Sequence, residues 1–272
     1  MILVDAHVHL RSCFEPPVFL DEAYRNFVGV SDKYSDNGGT YGVLCLVTSP
    51  NDLGFGWLTN FLSMDRSQND NFLPRMSLTA TQEEASVCLS LRDGGILVVV
   101  AGRQVVSSEN LEVLAIGTCE QFESGTPTPR LIKKIVKVGA IPIIPWGAGK
   151  WMGKRGRLVD ELVESSELPP FFLGDSGNRP AFWPRPTHFR RAEDKGIKIL
   201  SGSDPLPFPG EAKRVGSFGV ALKGSLDAET PAQDLKRKVL DPSTVLHQFG
   251  SAERPLRFLR NQLKMQFRKF IR

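Results

Sequence analysis

The chain opens on an apolar run, Met1-Ile2-Leu3-Val4, and comparable runs recur along it, separated by amphipathic stretches. Runs near residues 2–6, 42–48, 112–116, 140–145, 170–174 and 197–201 read as strands, and segments near 18–30, 129–138, 156–166 and 184–195 read as helices. Thr128-Pro129 supplies an N-cap followed by proline at a first helical position, and Gly139 closes that helix before the next strand. Strands alternating with helices predict a parallel sheet with crossover connections. One region breaks the rhythm: residues 86–91, the turn Arg92-Asp93-Gly94-Gly95 and residues 96–106 predict a hairpin, and residues 107–110 turn the chain again. The expected fold is α/β: a TIM-like barrel of seven to eight (β/α) units over residues 1–250, a small antiparallel hairpin insertion at about 84–111, and a C-terminal helical extension over 251–272. The polar stretches 31–40 and 63–71 are expected as loops covering a site.

Composition narrows the class. The 272 residues are 41% hydrophobic and 24% charged, ordinary for a soluble globular protein. A formal net charge of +4 is too small to imply nucleic acid as a partner for the chain as a whole. Cys13, Cys45, Cys88 and Cys119 show no Cys-x-x-Cys spacing, so reduced thiols are expected. The start is too short and uncharged for a signal peptide, and no stretch reaches the ~20 apolar residues of a membrane span, which together suggest a cytoplasmic protein. Near the C-terminus Leu256, Leu259, Leu263, Phe267, Phe270 and Ile271 recur at helical spacing, with Arg257, Arg260, Lys264, Arg268, Lys269 and Arg272 as the polar side. Such a basic amphipathic helix suits a peripheral membrane surface or a partner protein. The alternative, preferred from sequence, is a final helix that buries Leu259, Leu263 and Phe267 on the barrel.

The chemistry concentrates at the ends of predicted strands. His7 and His9 alternate with Val8, so on a strand they share a face and can present two imidazoles to one cation. Asp204, just past the apolar run at 197–200, adds a hard oxygen ligand, and this donor set suits zinc, manganese or iron. In a barrel the catalytic groups collect at the carboxyl ends of the strands, which singles out His7, His9, residues 48–51, Glu120, residues 146–151, residues 175–179 and Asp204. Trp146, Lys150 and Arg179 are the expected substrate-binding residues, giving an aromatic face and two cations for a small anionic or sugar-like molecule. His188 and His247 are expected to be structural. No Gly-x-Ser-x-Gly elbow or Cys-x5-Arg loop is present, which argues against covalent catalysis.

Asp5-Ala6-His7-Val8-His9-Leu10 resembles the first-strand His-x-His motif of the amidohydrolase and PHP (polymerase and histidinol phosphatase) groups of metal-dependent barrel hydrolases, and Leu200-Ser201-Gly202-Ser203-Asp204-Pro205 resembles their last-strand Gly-Ser-Asp motif. Residues 100–106 and 111–117 are similar to paired strands of PHP proteins. The resemblance carries over His7, His9 and Asp204. The chain departs from the family pattern at Gln104, Glu112, Trp146, Asp175 and Leu206. Asp175, Glu112 or Glu120 could complete the ligand set, Asp175 standing where a family histidine would, although Asp-Ser-Gly-Asn is also a turn signal. The implied activity is hydrolysis of a phosphoester, ester or amide by metal-activated water, with Asp204 and Asp175 as ligands and Asp204, Asp175 and Glu120 as catalytic carboxylates. The competing reading is a barrel with an eroded site that binds a ligand or serves as a membrane-peripheral assembly protein. The oligomeric state is not legible.

Overall fold

The computed structural model describes residues 1–33, 41–63, 73 and 75–270; of the loops expected over 31–40 and 63–71, residues 34–40 and 64–71 lie outside them, as do Ile271 and Arg272. Its first half runs β1 (Ile2–Val8), α1 (Pro16–Ser31), β2 (Tyr41–Thr48), α2 (Gly54–Leu62), β3 (Met76–Ala80), β4 (Ser86–Leu91), β5 (Ile96–Val106) and β6 (Glu112–Ile116). The second half runs α3 (Thr128–Lys137), β7 (Ile141–Pro145), α4 (Lys154–Glu164), β8 (Phe172–Gly174), α5 (Thr187–Asp194), a 3-10 helix (Pro209–Arg214), β9 (Gly219–Leu222), α6 (Pro231–Leu240), β10 (His247–Phe249) and α7 (Pro255–Phe270).

These strands form one mixed sheet in the order β10-β9-β1-β2-β5-β6-β7-β8, with β3 and β4 branching from β5, curled into a half-barrel. Only β1–β2, β2–β5 and β7–β8 are parallel; β9 runs against β1, and β6 runs against both β5 and β7. This overturns the expected (β/α) barrel, whose strands would all be parallel. The supposed hairpin insertion is not an insertion either. β4 pairs antiparallel with residues 96–100 of β5, while residues 102–106 of the same long strand pair with β6 and its other edge pairs with β2, so β5 belongs to the body of the sheet. The expected strand at 197–201 is absent from the named strands: Ile199 and Gly202 make single parallel bridges to Leu173 and Ser176, and the Ala6 N–H donates to Ser201 O at 3.0 Å. Gly202 permits that approach, since a Cβ there would lie 2.3 Å from the His7 nitrogen.

The central strands read as unbroken apolar runs because both of their faces are covered. Leu3, Leu44, Leu46, Leu97 and Val99 join a core with Phe19, Leu20, Ala23 and Phe27 of α1 and with Phe55, Leu58 and Phe61 of α2. Ile2, Val4, Val43, Cys45, Val98 and Val100 join a second core with Ala232, Leu235 and Val239 of α6. Fully burying one such phenylalanine or leucine contributes roughly 2 kcal/mol.

The terminal helix does not pack as expected. Leu259, Leu263 and Phe267 are 53%, 60% and 65% exposed, and Phe258 and Asn261 are the buried positions instead. Polar bonding sets this rotation: Arg257 and Asn261 donate to Glu211 at 2.9 and 3.3 Å, and Phe258 packs edge-on against Phe182. Among the described residues no helix is long and apolar enough to cross a membrane.

Candidate metal centre

A bulge in β1 builds the site. Asp5 pairs with Leu44 and Val8 with Leu46, so three steps along β1 match two along β2. The extra residue reverses the strand's alternation. Val8 and Leu10 therefore share the α1–α2 core with Leu3, while His7 and His9, alternating with them, turn to the face of Ile2, Val4 and Ala6. Asp204 comes to the same place from the segment beyond Gly202. Its backbone has φ +47°, an unusual conformation for a non-glycine residue. Two bonds hold it there: the Asp204 N–H donates to His7 O at 2.8 Å, and Asn178 Nδ2 donates to Asp204 O at 2.5 Å.

His7, His9 and Asp204 are the group of potential ligands that the structure assembles among the described residues. Nε2 of His7 and Nε2 of His9 are 3.0 Å apart, and they stand 3.8 and 4.0 Å from Asp204 Oδ1. The circle through three atoms so spaced has a radius of about 2.1 Å, which is the bond length zinc makes to imidazole nitrogen and carboxylate oxygen. The donor spacing thus fits a divalent cation of that size. Burial lowers the His7 pKa to about 4, partly opposed by the Asp204 charge, so the ring is neutral at pH 7, the form that can ligate. Asp204 is held below the usual carboxylate range: burial pushes it up, but His7, His9, Arg11 and Lys150 outweigh burial.

A second ring of groups orients the first. His9 Nδ1 lies 2.8 Å from Asp52 Oδ2, a carboxylate–histidine pair that leaves Nε2 as the ligand atom. Asp52 is fixed in turn by Arg11 Nη1 at 3.0 Å, by the Ser49 N–H at 3.0 Å and by Ser49 Oγ at 2.5 Å. Burial would raise its pKa; the bonds and charges of His9, Arg11 and Ser49 bring it down to about 2. Asp5 is completely buried and accepts from the N–H groups of Ser203, Gly216 and His7, at 2.8, 2.8 and 3.4 Å, tying β1 to the Asp204 segment. Burial raises Asp5 to about 7 despite those bonds. Asp5 stands in the first-strand motif but was given no role from sequence, and neither Arg11 nor Asp52 figures in the sequence reading of the site. Asp52 lies one residue past the flagged strand end at 48–51, and Arg11 two past His9; proximity to the motif was the one available signal.

The other expected site residues are placed elsewhere or otherwise engaged. Asp175 is not brought to the cluster: Arg179 grips its two oxygens at 2.9 Å each, and Gln248 donates to it at 3.1 Å. That pair also occupies Arg179. Glu120 is exposed in a different cleft, beside Val138 and Gly139 at the start of β7, because the reversed direction of β6 carries its end away from the site. The same reversal brings Glu112, at the start of β6, to the carboxyl end of β7, where it pairs with Lys150 and lies close enough to His7 to favour its charged form. Trp146 is buried against Trp183, rings edge-on at 6.0 Å. His188 packs on Trp151 beside Gly156 O, whereas His247 is exposed on β10.

No protein-family model and no curated protein matches the chain. Among solved structures it is similar to PsfC from Pseudomonas syringae PB-5123, with a TM-score of 0.52 at 16% identity over 97% of each chain, a likeness of fold. It also aligns with the lesion-specific endonuclease PfuEndoQ from Pyrococcus furiosus, with a TM-score of 0.45 at 10% identity over 90% of this chain and 57% of that one.

Proposed function

We propose that this protein binds a divalent cation through His7, His9 and Asp204 and hydrolyses an ester bond of a small anionic substrate, best matched by a phosphoester. The observation that carries the reading is the spacing of three donor atoms, two of them on buried imidazoles, around a gap of cation size. When bound, zinc, manganese or iron would supply Lewis acidity and lower the pKa of a water molecule. Asp52 holds His9 in the tautomer that ligates. Arg11 and Lys150, both acting on Asp204, supply the positive charge that an anionic oxygen would meet, and Arg11 Nε has no partner among the described residues. Glu112, positioned by Lys150 and offered from sequence only as a further candidate ligand, is the carboxylate best placed to take up a proton, the role for which the sequence suggested Asp204, Asp175 and Glu120.

Elemental analysis of the purified protein and of the His7→Ala/His9→Ala variant tests the centre, together with a panel of nitrophenyl phosphate, phosphodiester and acetate substrates. Stoichiometric metal in the wild type, lost in the variant, and phosphoester turnover are expected. Equal metal content in both proteins would overturn the ligand assignment.

A further inference from the structure

Helix α7 holds the body by one face and turns the opposite face outward. Phe258 and Asn261 mark the docked side, a little under half a turn from Leu256, Leu259, Leu263 and Phe267 at 100° per residue. Those four side chains form one row, and all are more than half exposed, Leu256 reaching 84%. A continuous row of that kind exceeds the scattered apolar residues of an ordinary soluble surface.

Its surroundings are cationic. Arg260 and Lys264 are exposed along one edge of the row, and α7 contains no Asp or Glu. Leu256 and Arg260 also line an open cleft of about 1260 Å³ between α1 and α7, whose walls include Lys33, Lys213 and Arg254. Lys33, Lys213, Arg254 and Arg260 make no ion pair among the described residues, while the acid of that cleft, Glu253, is buried and paired with Arg214 at 2.9 Å. Positive charge without ion-pair partners among the described residues therefore adjoins an apolar row without cover, and Lys264 rests over the Phe208 ring at 5.4 Å.

We propose that this face docks on a membrane surface bearing anionic phospholipid. The row enters the boundary between headgroups and acyl chains, while Arg260, Lys264 and the cleft meet headgroup phosphates. A second copy of the chain fits less well, because pairing α7 with α7 would bring cations together with no acid on either helix. Nucleic acid would reward the cations but leave four apolar side chains in water. The inference rests on α7 and its cleft alone and stands whether or not the His7–His9–Asp204 cluster holds metal.

Co-sedimentation of the full chain with phosphatidylcholine vesicles, with and without phosphatidylserine, tests it. Binding is expected only with phosphatidylserine and should weaken as salt is raised. Reversing two cations in Arg260→Glu/Lys264→Glu should weaken it at least about 25-fold, at roughly fivefold per cation. Leu259→Ser/Leu263→Ser should abolish it with the melting temperature and metal content unchanged, since both side chains are solvent-exposed. The proposal is overturned by absent binding to phosphatidylserine vesicles, or by binding that survives Leu259→Ser/Leu263→Ser. It is equally overturned by a sedimenting dimer that the same variant dissolves, or by duplex DNA binding that this variant retains.

Discussion

Replacing Asp52 by Asn isolates the part of the metal centre that does not touch the metal. The side chain is fully buried, and its two oxygens accept from His9, Ser49 and Arg11. An amide keeps only one acceptor oxygen. If Oδ1 stays toward Arg11, the new NH2 group faces His9 Nδ1 and favours the tautomer with its proton on Nε2, which removes the ligand lone pair. If the amide flips, NH2 faces the Arg11 guanidinium at the present 3.0 Å, and a partly buried cation loses its partner. Either way, loss of such an outer carboxylate weakens metal binding by about 10- to 100-fold, or roughly 1.4 to 2.7 kcal/mol. Competition of the apoprotein with a chromophoric zinc chelator reads this directly, and a melting curve of the apoprotein separates it from general unfolding. A zinc affinity within twofold of wild type, in a variant that melts normally, would refute the role given to Asp52 and with it the ligand role of His9 Nε2.

Two further outcomes follow from buried ion pairs. Asp175→Asn should leave metal content intact while costing on the order of 3 kcal/mol through the stranded Arg179, and metal loss without a fall in melting temperature would return Asp175 to the ligand set. Glu211→Gln should also cost about 3 kcal/mol, because Glu211 serves both Arg214 and Arg257, and for a chain this long that is a fall of roughly 6–12 °C by calorimetry. An unchanged melting temperature would show that the C-terminal helix is held mainly by Phe258.

Much of the local order was written in the chain. The apolar runs of β1, β2 and β7 and the helices at 128–137 and 187–194 follow from short-range pattern, although neither helix has a side-chain N-cap and Thr128, expected as one, is the first helical residue, and the Asp-Gly turn between β4 and β5 follows from backbone sterics. His7, His9 and Asp204 were legible as chemistry, because two histidines in one tripeptide and an aspartate after an apolar run are unusual wherever they fall. Strand direction was not legible. A buried antiparallel strand such as β6 has the same apolar composition as a parallel one, so periodicity put Glu120 among the strand-end residues and left Glu112 to be offered by the family resemblance alone, whereas the reversal carries Glu120 away and brings Glu112 near His7. The bulge that turns His7 and His9 to their shared face depends on the register against β2, which is a property of two strands and not of one. Partner choice was equally hidden: the bonds of Gln248 to Asp175, of Asp52 to His9 and of α7 to Glu211 form between segments that meet only on folding. In α7 the sequence determined that an apolar row and a basic edge exist; the tertiary structure decided that the row faces outward, because turning Asn261 and Arg257 toward Glu211 satisfied a buried charge that leucines could not.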